Sequence, residues 1–308
     1  MRPWISPSTR SFLKEALYLK NYRLFDFIHG YFYARWIYLY IGIGTGEHPL
    51  ARTYRRLSSS WKNLIANHIP HSANSKHQPT IAEGYHGKVI PLESASRLVT
   101  INQEVNLTNL EQVIPYSRAR DIILKNPDHI VALDCPCRAS RPNPCLPLDV
   151  CLIVGEPFAS FVAEHHPQRS RWITPDEAVE ILSSEQQRGH VHHAFFKDAM
   201  LGRFYAICNC CSCCCGAMQA HFKGVPMLAS SGYLSTVEAD LCIGCGDCID
   251  SCQFVALTVV AGVAKVDQAK CMGCGVCVSQ CFQGAMSLIP APSKGEPLDI
   301  QELITHLI

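Results

Sequence analysis

CIGCGDCIDSC (residues 242–252) is answered 29 residues later by CMGCGVCVSQC (residues 271–281). Each half reads C-x2-C-x2-C-x3-C, the spacing that holds a cubane iron–sulfur cluster. Three thiolates two residues apart wrap one face of a cube, and the fourth points away to its neighbour. The spacing therefore assigns Cys242, Cys245, Cys248 and Cys281 to one [4Fe–4S] centre, and Cys271, Cys274, Cys277 and Cys252 to a second. Paired tetrahedral zinc knuckles are the competing reading, but they use C-x2-C pairs rather than two four-cysteine runs.

The two halves are an internal repeat: Gly244 matches Gly273, Gly246 matches Gly275, and Ala256 matches Ala285. Glycine suits a backbone that must turn tightly beside a cluster. Residues 235–289 resemble the bacterial two-cluster ferredoxin domain. The resemblance implies a compact pseudo-twofold unit of short hairpins and short helices, with metal as most of its core. One departure stands out: Gln253 and Phe282 follow the fourth cysteines, where the family usually has proline.

Eighteen cysteines in 308 residues, a net charge of +1 and 17% charged residues bound the function classes. No basic run marks a nucleic-acid footprint. A disulfide scaffold would be short and secreted, and MRPWISPSTRSFLKEAL lacks the apolar core of a signal peptide. The cysteines read as metal ligands in a reducing cytosol.

Upstream, HIVALDC (129–135) reads as a buried strand delivering Cys135-Pro-Cys137-Arg138. Cys135, Cys137, Cys145 and Cys151 sit in a loop stiffened by four prolines, with Arg138 and Arg141 placed to donate hydrogen bonds to a cluster. ICNCCSCCCGA then gives Cys208, Cys210, Cys211, Cys213, Cys214 and Cys215. No strand or helix points all six at one spot, so alternate ones serve different centres or pair with the 135–151 set. The ten are expected to hold one or two further clusters, or one larger asymmetric one. His190, His192 and His193 are candidate ligands or proton carriers, with core roles as the plainer alternative. The segments CPCR, PCLPLDVC and ICNCCSCCC resemble a family of bacterial ferredoxin-fused cysteine-rich iron–sulfur proteins over residues 105–289. That resemblance implies redox work and no particular reaction.

The remaining chain divides into an aromatic helical segment (1–67), a polar linker (68–80) with His68, His71 and His77, a cysteine-rich domain (81–232), the ferredoxin unit (233–289) and an amphipathic tail (290–308). Residues 10–43 hold eight aromatic side chains between Phe25 and Tyr40 but are broken by Asp26, His29 and Arg35, which argues against a spanning helix. Two readings stand: a helix on a membrane surface or in a partner's groove, or one packed on the protein's own core. Gly42, Gly44 and Gly46 make a poor dinucleotide fingerprint and read as a turn. Short strands are expected at 88–92 and 97–101, a helix over 118–125 ended by Asn126-Pro127, and a helix opened by the capping box Thr174-Pro175-Asp176-Glu177 and closed near Gly189.

The fold expectation is α+β. Three functions compete: an electron-transfer protein working between a donor and a partner redox enzyme, a reductase with a substrate-binding cluster upstream, and a carrier of clusters or metal.

Overall fold

A computed structural model describes residues 5–20, 22–53, 56 and 81–307. The expected linker 68–80, with its three histidines, lies outside the described residues. In chain order come α1 (Pro7–Tyr18), α2 (Leu24–Arg35), α3 (Ile37–Thr45), α4 (Ile81–Gly84), β1 (Tyr85–Val89), α5 (Leu92–Thr100), β2 (Val105–Leu107), β3 (Ile122–Leu133), α6 (Pro136–Ala139), β4 (Cys151–Glu156), α7 (Phe158–His165), β5 (Ser170–Ile173), α8 (Pro175–Gln187), β6 (Val191–Lys197) and β7 (Arg203–Cys210). Then follow α9 (Gly216–Phe222), β8 (Leu228–Ala229), β9 (Tyr233–Val237), α10 (Asp247–Asp250), β10 (Leu257–Val260), β11 (Val263–Val266), α11 (Val276–Gln280), β12 (Met286–Pro290) and α12 (Ile300–Leu307).

One sheet runs β2-β3-β4-β7-β6-β1-β8, with β5 also on β3. Its named strand pairs are antiparallel except β1 with β8. Strands β4, β6 and β7 are almost continuously buried because both of their faces are covered. Side chains alternate between the faces. Val131, Leu133, Cys151, Ile153, Phe195 and Ala206 join a core with Phe12, Tyr33, Phe158, Phe161 and Met218. Ile130, Ala132, Leu152, Val154, Ala194 and Ile207 join a second core with Leu98, Val99, Ala178, Leu182 and Ile300. Helices α1–α3, α7 and α9 thus cover one face, and α5, α8 and α12 the other. The tail is part of the body: α12 packs on α5, and Asp299 pairs with Arg97.

Several local expectations need correction. Residues 97–101 are not a strand but the end of α5, since Leu92, Ala95, Leu98 and Val99 make a helical stripe against the sheet. Only the first part of 88–92 is strand; it ends in β1 at Val89. No helix forms over 118–125, because the chain enters β3 at Ile122. Asn126-Pro127 lies inside that strand, where the register with β4 shifts between Lys125 and Ile130, and a bulge tolerates proline. Gly42 and Gly44 are inside α3, and only Gly46, at φ +88°, makes the turn that ends it. Only the N-cap half of the expected capping box forms: Thr174 Oγ1 accepts from the Glu177 N–H at 3.2 Å, the Glu177 carboxylate pairs with Arg171 instead of the Thr174 N–H, and α8 follows.

The aromatic segment is three helices rather than one. Phe12 and Tyr33 are buried against the sheet, Tyr38 donates to Asp134 O at 2.9 Å, and Tyr22 donates to Ala199 O at 2.6 Å. An outer strip, including Tyr18, Leu24, Phe25 and Ile28, stays exposed. No described helix is long and apolar enough to cross a membrane.

The C-terminal unit pairs β9 with β12 and β10 with β11, and α10 and α11 each carry the third cysteine of a triplet, Cys248 and Cys277. Gly244 and Gly273 share φ +66°. A Cβ at Gly244 would lie 2.5 Å from Gly262 O, and one at Gly273 would lie 2.2 Å from Tyr233 O. Both positions therefore need glycine for conformation and for space.

Candidate metal centre

The eight repeat cysteines line two separate pockets. Cys242, Cys245, Cys248 and Cys281 surround one, walled by Ile243, Val259, Ala264 and Met286. Cys252, Cys271, Cys274 and Cys277 surround the other, walled by Phe254, Leu257, Val266 and Met272. Each fourth cysteine has crossed to the other motif's triplet, because α10 and α11 pack side by side and carry their C-terminal ends towards opposite cavities. A thiol-only donor set in an apolar cage fits a cubane cluster.

Hydrogen bonds also reach these sulfurs. Ala264 N–H lies 3.4 Å from Cys242 Sγ, Ala256 N–H lies 3.3 Å from Cys252 Sγ, and Ser235 Oγ lies 3.0 Å from Cys277 Sγ. Such bonds tune a cluster's potential. Burial pushes the Cys277 thiol up to about 11, and the Ser235 bond offsets part of that. Nothing in the motif spacing points to Ser235; only the pairing of β9 with β12 brings it under α11.

The ten upstream cysteines divide into six and four. Strand alternation puts Cys208 and Cys210 on the same face of β7, and Cys151 is the register partner of Cys208, with their sulfurs 3.7 Å apart. Cys135 caps α6 and Cys137 lies in its single turn, and Cys215 enters from the N-terminal end of α9. Electrostatic coupling runs from Cys208 through Cys151, Cys135, Cys137 and Cys215 to Cys210, each thiol shifting the titration of its neighbours. The neighbouring thiols of Cys137 and Cys151 hold Cys135 well below the usual thiol range, and both of those are pushed up.

These six, together with Cys211 and Cys214, line a cavity of about 50 Å³ whose far wall is Tyr33, Ile37, Ile41, Tyr85, Phe195 and Tyr205. The Tyr33 and Tyr205 hydroxyls are 2.8 Å apart. Lys197 Nζ sits 4.7 Å from the ring centres of both Tyr33 and Tyr85, and burial lowers its pKa to about 8. The aromatic N-terminal segment thus roofs the cavity. Its tyrosines were visible in the sequence as a cluster, but nothing there tied them to the cysteines.

Cys211, Cys213 and Cys214 meet Cys145, all four sulfurs lying within 4.8 Å of one another, and Cys211 and Cys214 also reach the cavity wall.

Arg138 is buried beneath the cavity. Its guanidinium donates to Glu185 at 2.5 Å, Pro147 O at 2.6 Å and Asn209 O at 3.0 Å. His190 Nδ1 donates to the same Glu185 oxygen at 2.7 Å. Burial pushes the Glu185 carboxyl up, but His190 and Arg138 outweigh it and hold the group below its ordinary value. Arg141 is held by Glu47, by Gln219 Oε1 at 2.8 Å and by Cys214 O at 3.1 Å. His192 meets Asn209 Oδ1 at 2.6 Å, and His193 lies across from Cys208 in the register. The three histidines are buried on β6 and its lead-in, around the cysteine strands rather than in the cavity lining.

Residues 235–282 match the family model of the 4Fe-4S dicluster domain. The C-terminal part of the chain is thus an iron–sulfur domain of the ferredoxin type, joined to a cysteine-rich αβ body. No curated protein matches the chain.

Proposed function

We propose that this is a multi-cluster electron-transfer protein. In this reading the two C-terminal pockets hold one [4Fe–4S] cluster each, Cys242, Cys245, Cys248 and Cys281 ligating the first and Cys252, Cys271, Cys274 and Cys277 the second. The six-thiol cavity holds a further centre. Bound clusters supply one-electron redox capacity. The chain's own residues bury the sulfurs, donate hydrogen bonds to them and keep the sites at a fixed separation.

The observation that carries the reading is the docking of the second pocket on the cysteine body. Gln253, directly after Cys252, accepts from the Ser212 N–H at 2.8 Å, inside the 208–215 cysteine run. Gln280 Nε2, one residue before Cys281, donates to Gln187 O at 3.0 Å. Ser231 Oγ donates to Gly273 O at 2.7 Å. At the Gln253–Ser212 contact both sides are metal-site loops, an arrangement suited to a wire. Partners are read as redox proteins, with the exposed strip of α1 and α2 as the face offered to a partner or a membrane surface.

One observation favours a reductase as the second reading. Six thiols exceed the four that a cubane needs, and the cavity ends in neutral tyrosines whose hydroxyls are potential proton donors.

The test is iron and acid-labile sulfide per chain in protein purified without oxygen, with electron paramagnetic resonance during stepwise reduction. The wire predicts about 12 iron atoms or more and electron arrival at an upstream centre after the ferredoxin pair. About 8 iron atoms, with no upstream signal, would refute it. A spectral change of the upstream centre on adding a small reducible substrate would favour the reductase.

A further inference from the structure

We infer that Cys145, Cys211, Cys213 and Cys214 form a mononuclear tetrahedral thiolate site for one divalent soft metal, zinc or ferrous iron, separate from every cluster. The inference does not rest on the electron-transfer reading.

The distances decide it. Cys145 Sγ is 3.2 Å from Cys213 Sγ and 3.8 Å from Cys214 Sγ, and Cys213 and Cys214 are 3.6 Å apart. Four sulfurs at about 2.3 Å from one tetrahedral metal stand about 3.8 Å from each other. A disulfide would need about 2.05 Å. In a cubane each thiolate sits on its own iron at a separate corner, so the sulfurs stand wider. The molecule contains its own comparison. Among the described residues this quartet is the compact one, and the eight ferredoxin-motif thiols form no group of this kind.

The scaffold around the quartet holds it in place. Gln219 Nε2 donates to Cys213 O at 2.9 Å, Arg141 donates to Cys214 O, and the Cys215 N–H bonds to Cys211 O at 3.0 Å. These bonds occupy the backbone and leave the four sulfurs facing inward. Cys213 is exposed and Cys145 half-buried, so a metal ion has an entry path. An all-sulfur set selects zinc or iron over harder cations.

Position gives the site a purpose. Cys145 lies between Cys137 and Cys151, and Cys211, Cys213 and Cys214 lie between Cys210 and Cys215. The flanking cysteines line the six-thiol cavity, and Cys211 and Cys214 reach its wall as well. One metal ion would therefore staple together two loops that form the cavity wall. Binding releases the thiol protons and transfers no electrons.

The experiment is metal analysis of the full chain with X-ray absorption at the zinc and iron edges, beside Cys145→Ser and Cys213→Ser. The expected result is about one zinc per chain with four sulfurs at about 2.3 Å and no metal–metal shell. Iron in its place would appear as an isolated high-spin signal. Either metal should fall at least tenfold in both variants while the ferredoxin signals persist. The wild-type spectrum stands even if a variant fails to fold. Wild-type protein with neither zinc nor isolated iron after reconstitution would overturn the site. So would variants that lose cluster iron with zinc unchanged, because the quartet would then belong to a cluster.

Discussion

The Gln253 side chain accepts the Ser212 backbone N–H at 2.8 Å, tying the residue after Cys252 to the middle of the 208–215 cysteine run. Proline, usual at this place in ferredoxin motifs, has no side-chain acceptor. The departure noted in the sequence is thus where the C-terminal unit docks.

Gln253→Leu should remove that contact at a cost of about 1 kcal/mol, the ordinary net worth of one hydrogen bond. Electron arrival upstream should slow while ferredoxin reduction by dithionite is unchanged. Stopped-flow absorbance of the two phases checks it; equal slowing of both would contradict the docking role.

Cluster loss should follow the pockets and not the linear motifs. Cys281→Ala should abolish the same resonance signal as Cys242→Ala, and Cys252→Ala the same one as Cys271→Ala. Each should remove about 4 iron atoms per chain. Paired spectra of the four variants read this directly.

Chelation under oxidising conditions should unfold the C-terminal unit and spare the sheet. The apolar cluster of that unit is small, centred on Leu257, Ala264 and Met286, whereas the sheet is covered on both faces. A unit that small leans on metal for its stability. Circular dichroism should show partial loss, and proteolysis should cut within 233–289 first.

Glu185→Ala should destabilise the body by about 3–5 kcal/mol, because it leaves the Arg138 guanidinium buried without its carboxylate. Glu185→Gln should cost less, since it keeps a hydrogen-bond acceptor. Denaturant midpoints of both variants would rank them; equal and negligible losses would show that the ion pair is dispensable.

Stability should fall with pH through His86. The ring is fully buried, stacks 3.6 Å from Tyr116 and shares a 2.9 Å hydrogen bond with Ala82 O. Burial lowers its pKa from 6.5 to about 4, against weaker opposing help from backbone bonds and Glu83. Between those values the unfolded chain binds a proton that the folded chain refuses, so stability is whole above 6.5 and declines towards 4. The loss from pH 7 to pH 5 is about 2 kcal/mol. His86→Gln should flatten that part of the profile, measured as the difference in Tm between the two proteins.

The cysteine spacing and the 29-residue repeat determined the C-terminal domain, because ligand order around a cube is set by residues close in the chain. The capped helix at 174–187 was equally legible, as its start rests on local hydrogen bonds. Residues 97–101 and 118–125 misled because β-branched content and a proline are weak against packing on a sheet. The tertiary structure alone divided the ten upstream cysteines. Strand alternation set Cys208 and Cys210 on one face, the turn after β7 gathered Cys211, Cys213 and Cys214, and Cys145 came to them from 66 residues upstream of Cys211. No spacing encodes that division, because it depends on which strands pair, and the order β3-β4-β7-β6 is fixed by burial over the whole sheet.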